Sequence, residues 1–228
     1  MKHLAGIFLG LTLLSANAVA GTESSSAFDQ SLRAIQSRWA QINYSKDEGK
    51  KADAFEQLAQ QAEQLSRAYP RRAEAKIWQG IVLSTWAGAK GGLGALSLVE
   101  QAKHLFEQSL NIDQQALQGS AYTSLGSLYY QVPGWPIGFG DDDKAKAYLQ
   151  KALKINPQGI DANYFYADYL IDQGDYRQAQ NYLQKALQAP ARPGRPLADQ
   201  GRRDEIKQRL KRVRDNIAAQ ADSDSFFN

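Results

Sequence analysis

Apolar side chains in the second half of the chain recur at helical spacing. Leu149, Ala152 and Leu153 stand at i, i+3 and i+4, with Gln150 and Lys151 between them. That spacing gathers the apolar residues on one helix face and turns the polar ones away. The same hexapeptide, YLQKAL, occupies Tyr148–Leu153 and Tyr182–Leu187, with starts 34 residues apart. Its flanks agree too, reading DKAKAYLQKALKINP and DYRQAQNYLQKALQAP. A fixed period in this range marks an array of supersecondary units, each burying its apolar face against the next. Upstream, Phe28–Tyr44 and Ala52–Ala68 read as an amphipathic pair that ends before Pro70. A further pair, EAKIWQGIVLSTW and EQAKHLFEQSL, is pushed apart by AGAKGGLGAL. After Pro196 a long polar helix, 197–220, is expected as a cap, because the last apolar face of an array has no following unit to cover it.

Turn chemistry agrees with these stripes. Gly174 can close one helix and Asp175 can cap the next, while Pro157 follows a helix ending near Asn156. One connection is far longer than the period allows, QVPGWPIGFGDDD between Tyr129 and Ala145. Pro133-Gly134 suits the centre of a type II turn, and Asp141–Asp143 suit the start of a helix. The loop also carries Val132, Trp135, Ile137 and Phe139. It is too apolar to stand in water, so it is expected to fold back onto the molecule as a plug or a lid.

These residues resemble the tetratricopeptide repeat, a helix–turn–helix unit with the pattern W-x2-L-G-x2-Y…A-x3-F…P. Tyr122, Leu125, Gly126 and Tyr129 match its first half, with Tyr in place of Trp, and Ala145, Leu149, Ala152 and Pro157 match its second. The next repeat has Tyr166, Ala167 and Leu170, then Ala179, Leu183, Ala186 and Pro190. Gly80, Leu83, Ala102 and Phe106 form a weaker upstream copy, so the likeness covers most of 73–190.

The resemblance implies an all-α, right-handed solenoid of antiparallel helix pairs with inserted loops and a C-terminal capping helix. On that framework the first helices line a concave face bearing Thr123, Ser127, Tyr130, Tyr164, Asp168 and Asp172, with Ile77, Ile81 and Thr85 upstream. Trp135 and Phe139 of the inserted loop are expected to fold over it. Such repeats generally act as scaffolds, so the expected activity is non-enzymatic binding of a protein partner on this face, near the 130–140 loop. A mixed aromatic, hydroxyl and acidic wall would also suit a small polar solute. In that respect the chain is similar in architecture to the T-component family of TRAP transporters, accessory proteins of periplasmic solute transport.

The N-terminus sets a location. Lys2, the apolar run Leu4–Leu14 and Ala18-Val19-Ala20 compose a secretory signal peptide with cleavage expected after Ala20. The expected product is exported, soluble and periplasmic, with residues 21–27 disordered, a helical-repeat domain over 28–220 and a frayed tail at 221–228. No stable membrane insertion is expected after cleavage, since the apolar run falls short of the ~20 residues a span needs. The chain has no Cys, and Met1 is its one methionine, so disulfides, thiol nucleophiles and thiolate metal sites are excluded. A formal charge of +3 demands no nucleic acid.

The remaining candidates for chemistry point to structure. His3 lies in the expected leader, and His104 alone cannot build a multi-histidine metal site. Gly88–Leu96 lacks the spacing of a phosphate-binding loop, and Asp141–Asp143 lack that of a calcium loop. No catalytic residue, metal or cofactor is expected. The basic run Arg192–Arg214 is interrupted by Asp204 and Glu205, as a solvated capping helix would be.

Overall fold

A computed structural model describes residues 16–226. Residues 1–15 of the expected leader, and 227–228 of the expected tail, lie outside the described residues. Among those described there are nine α-helices and no strand: α1 Ala16–Asn43, α2 Lys51–Ala68, α3 Ala73–Lys90, α4 Leu93–Ile112, α5 Ala116–Gln131, α6 Asp142–Ile155, α7 Ile160–Asp172, α8 Tyr176–Leu187 and α9 Pro196–Phe226. Neighbours in sequence pack as neighbours in space, with α3/α4, α5/α6 and α7/α8 as the tightest pairs. The result is the expected solenoid of helix pairs. Helix α1 starts upstream of residue 28, and α9 runs on through most of the expected tail.

Small residues at the helix crossings set the pairing distance. A Cβ on Gly126 would sit 2.5 Å from Leu149 Cγ, and one on Gly80 would sit 2.6 Å from Phe106 Cε1. Only glycine permits so close an approach of α5 to α6 and of α3 to α4. Leu149, Ala152, Leu183 and Ala186 of the two hexapeptides are all fully buried. Their lysines lie over rings instead, with Lys151 Nζ 5.6 Å from the Tyr148 centroid and Lys185 Nζ 4.8 Å from that of Tyr182. The Asp141 carboxylate accepts the backbone N–H of Lys144 at 3.0 Å, and Asp175 accepts that of Gln178 at 3.1 Å, capping α6 and α8.

Two connections differ from the sequence pattern. The stretch AGAKGGLGAL forms no long loop. Helices α3 and α4 extend into it from both sides, and only Gly91-Gly92 turn between them, at φ of 63° and 66°. The start of α5 is left-handed over three residues, Leu117, Gln118 and Gly119, at φ of 48°, 57° and 75°. Left-handed backbone costs a non-glycine residue about 1–2 kcal/mol. Here it is held by Asn156, which donates to the Gln118 side chain at 2.8 Å, and by Ile155 packed on Gly119.

The solenoid curls until its ends meet. Helix α9 packs on α8 and α7 and also reaches α1, where Gly201 leaves room for the Tyr44 ring. Burial raises the Tyr44 hydroxyl to a pKa of about 12, against the opposing Arg202 charge. The cap is therefore no simple solvated helix. Ala198, Ile206, Leu210 and Val213 are buried, and Arg202 and Arg209 pair with carboxylates of α7.

Candidate functional site

The curled array encloses a groove of about 1330 Å³. Helix α5 contributes a row of small polar groups, Ser120, Thr123, Ser124 and Ser127. They face this side because the other face of α5 is taken by Leu125, Gly126 and Tyr129 packing on α6. Opposite, Trp39, Phe55 and Trp78 of α1 to α3 back the groove as buried rings, and the apolar surface open to it comes from Ile81, Leu96, Ile137 and Phe165. Trp39 and Trp78 meet edge to face at 6.0 Å. The Trp39 indole N–H donates to the Thr85 hydroxyl at 2.9 Å, and that hydroxyl donates to the Ile81 carbonyl at 2.8 Å, which fixes the ring.

One end of the groove is charged. Asp161 at the start of α7 accepts from Arg192 at 2.5 Å and from Arg202 at 2.9 Å. Arg192 also pairs with Asp199 at 2.6 Å, and Arg202 with Glu205 at 2.5 Å. Burial would raise the Asp161 carboxyl, but the guanidiniums of Arg202 and Arg192 overcome it and hold the pKa at about 2. Arg195 lies beside this network with its guanidinium 4.9 Å from the Trp78 centroid.

The residues expected on the concave face divide into four groups. Thr123 and Ser127, with Ile81 and Thr85 upstream, do line the groove, whereas Ile77 is fully buried. Tyr164 and Asp168 lie under the cap: Arg202 stacks 4.2 Å over the Tyr164 ring, and Arg209 pairs with Asp168 at 3.0 Å. Tyr130 joins them by donating to Asp168 at 2.9 Å, and burial followed by that carboxylate pushes its pKa well up. Asp172 is exposed at the end of α7 and accepts from Gln173.

The inserted loop does fold back, with different residues from those expected. Val132, Pro133 and Ile137 line the groove. Phe139 turns to Tyr129 at 5.5 Å and lies under Lys103. Trp135 is 90 % exposed. Trp39, Trp78, Asp161, Arg192 and Arg195 belong to the site although the sequence pattern does not single them out. The repeat pattern is silent about the first helical pair and about the linker ARPGRP, where two arginines beside a turn ahead of the cap are the available signal. Among the described residues no cluster of His, Asp or Glu is placed to hold a metal ion, and no helix is long and apolar enough to cross a membrane.

This geometry is that of a tetratricopeptide-type solenoid, and comparison with known proteins agrees. Residues 137–193 match a tetratricopeptide repeat family model. The solved structure of TTC0263, a thermophilic TPR protein of Thermus thermophilus, superposes with a TM-score of 0.51 at 14% identity, over 84% of this chain and 96% of that one. Two others match less well. MamA has a TM-score of 0.42 and 18% identity, over 78% of this chain and 98% of its own. Pseudomonas aeruginosa pilF has 0.34 and 17%, over 86% and 99%. No curated protein matches the chain in sequence.

Proposed function

We propose that this protein is a non-enzymatic binding scaffold of the cell envelope, exported to the periplasm, whose groove holds a segment of a protein partner. One observation carries the reading: a groove of about 1330 Å³ with a hydroxyl row on α5 and open apolar side chains, Ile81, Leu96, Ile137 and Phe165, around it. Sites for small molecules are usually ~300–1,000 Å³, and this groove exceeds them. Hydroxyls can pair with a partner's backbone while the apolar wall takes its side chains. A role as a solute-binding accessory of transport would gain from a roof of Trp135 and Phe139. The exposure of Trp135 and the packing of Phe139 on Tyr129 favour the protein-binding reading instead. Export rests on the N-terminal pattern of Lys2, the apolar run and Ala18-Val19-Ala20.

The test is photocrosslinking in cells from a reactive residue placed at Ser127, with a second at Gln150 on the polar face of α6. A discrete protein adduct from Ser127 and none from Gln150 is expected. Equal adducts from both positions, or none from Ser127, would remove the groove as the binding surface. Fractionation and N-terminal sequencing address location separately. A periplasmic product beginning at Gly21 is expected, and a cytoplasmic chain retaining Lys2 would end the envelope assignment.

A further inference from the structure

Six charged side chains line the groove: Glu48, Lys51, Asp161, Arg192, Arg195 and Arg202. Five have partners within the chain. Lys51 pairs with Glu48 at 2.7 Å, and Arg192 and Arg202 share Asp161 while holding Asp199 and Glu205. Arg195 stands apart. Among the described residues its guanidinium makes no ion pair and no hydrogen bond, and its Nε is buried without an acceptor. It is only half-buried as a whole, with the plane over Trp78 and the rest facing the groove.

Among the described residues no acceptor meets it, and the two nearby carboxylates, Asp161 and Asp199, are turned to Arg192 and Arg202. Both Asp161 oxygens are occupied, by Arg202 and Arg192. Both Asp199 oxygens are occupied by the side chain and backbone N–H of Arg192. Burial, then the adjacent Arg192 charge, lowers the Arg195 pKa to about 10, so it stays cationic at neutral pH in surroundings that disfavour the charge. The Nε is closed to an incoming group, but the guanidinium donors that face the groove are also without an acceptor, and a partner's carboxylate placed there gains a charge-assisted hydrogen bond.

We propose that Arg195 is the anchor for an acidic side chain of the protein segment that enters the groove, with an aromatic or large aliphatic residue beside it in that segment. This rests on the groove being the binding surface. Two features select a carboxylate. A guanidinium offers paired donors matched to two carboxylate oxygens. Asp161 and Asp199 are close enough to act on Arg195, so a single negative charge is accommodated better than the double charge of a phosphate monoester. The apolar neighbour follows from the open apolar side chains that line the same groove, Ile81 and Phe165 among them.

The test is selection of random peptides displayed with their C-termini fused to the carrier, so that only side-chain carboxylates are available. The full mature protein and its Arg195→Gln variant serve as baits. The wild type is expected to enrich Asp or Glu next to aromatic or aliphatic residues. Arg195→Gln is expected to keep the apolar preference and lose the acidic one. A selected peptide should bind about 10-fold or more weakly after Glu→Gln in the peptide, and equally weakly on Arg195→Gln, since a charge-assisted contact is replaced by a neutral one. The peptide change leaves the protein intact, so the result stands even where the protein variant fails to fold.

Peptides enriched without acidic preference, or with the same preference on Arg195→Gln, would overturn the anchor and leave the groove reading in place. No enrichment on the wild type would overturn the groove reading itself. Binding of decanoate in place of any peptide, lost in Arg195→Gln, would overturn the protein partner and assign the site to small carboxylates.

Discussion

Helices α5 and α7 hold equivalent places in successive repeats, yet α5 opens onto the groove along its length and α7 only over its first turns, its remainder lying under the cap. Gly126 and Ala167 mark the same point of the helix crossing. Counting back and forward from them, Ser120 and Ser127 of α5 correspond to Asp161 and Asp168 of α7. The serines line the groove. The aspartates receive Arg202 and Arg209 of the cap. The two carboxylates that replace two small hydroxyls thus clasp α9 where it crosses α7. The second helices show the opposite behaviour. α6 and α8 share YLQKAL and bury the same residues, although their preceding connections are a ten-residue loop and a short turn at Gly174. The buried stripe fixes the pairing, and the groove-facing residues fix what covers it.

The largest expected effect tests the shared stripe. Leu149→Ala and Leu183→Ala each remove a fully buried side chain and leave a cavity, at a cost of about 3 kcal/mol. Urea unfolding of the two variants should give similar losses. A loss below about 1 kcal/mol at either site would mean that the stripe does not carry its pair.

The next test separates α7 from α5. Asp161→Asn withdraws the carboxylate that holds Arg192 and Arg202, and should cost about 2 kcal/mol, between the values for exposed and fully buried pairs. Ser120→Asn, at the matching place, should stay within about 0.5 kcal/mol. Hydrogen exchange should show the loss concentrated in α9. The pH dependence has a definite sign. The folded pKa of Asp161, about 2, lies below its ordinary value. Its contribution is present above that ordinary value, near pH 4, and is lost as pH falls toward 2. Wild type and Asp161→Asn should therefore converge in stability across that interval, and parallel curves would refute the clasp.

What is legible in the sequence follows the same division. Period, helix pairing and both aspartate caps can be read from YLQKAL and its flanks, because they depend on spacing within one repeat. The α5 part of the groove, Thr123 and Ser127, is legible for the same reason. The pattern assigns Tyr164 and Asp168 to an open face because nothing in a repeat says where a helix outside it comes to rest. Arg202 and Arg209 read as solvated charges until α9 is placed against α7. The meeting of Trp39 with Trp78 behind the groove depends on how α1 settles on α3, which no single repeat specifies.

The two caps offer a smaller, matched effect. Asp141→Ala and Asp175→Ala each free one backbone N–H at the start of α6 or α8, at about 1 kcal/mol each. If connection length mattered to the second helix, Asp141→Ala at the end of the long insertion would cost clearly more than Asp175→Ala at the short turn. Near-equal midpoints in thermal unfolding would confirm that the helix, and not its connection, sets the stability.

The smallest effect separates the insertion from the scaffold it interrupts. Trp135 is 90 % exposed, so the folded chain gains little from it, and Trp135→Ala should change stability by no more than about 0.5 kcal/mol. Its indole fluorescence should be that of a solvated ring, readily quenched by iodide, in contrast to Trp39 and Trp78, which are buried. Removing Trp135 should therefore delete the quencher-accessible fraction attributable to the loop while leaving unfolding unchanged. A loss of more than about 1 kcal/mol would show that the ring packs on the array after all and that the insertion serves as a plug. An unchanged midpoint with lost partner crosslinking from Ser127 would show instead that the loop carries the ring for the partner and not for the fold.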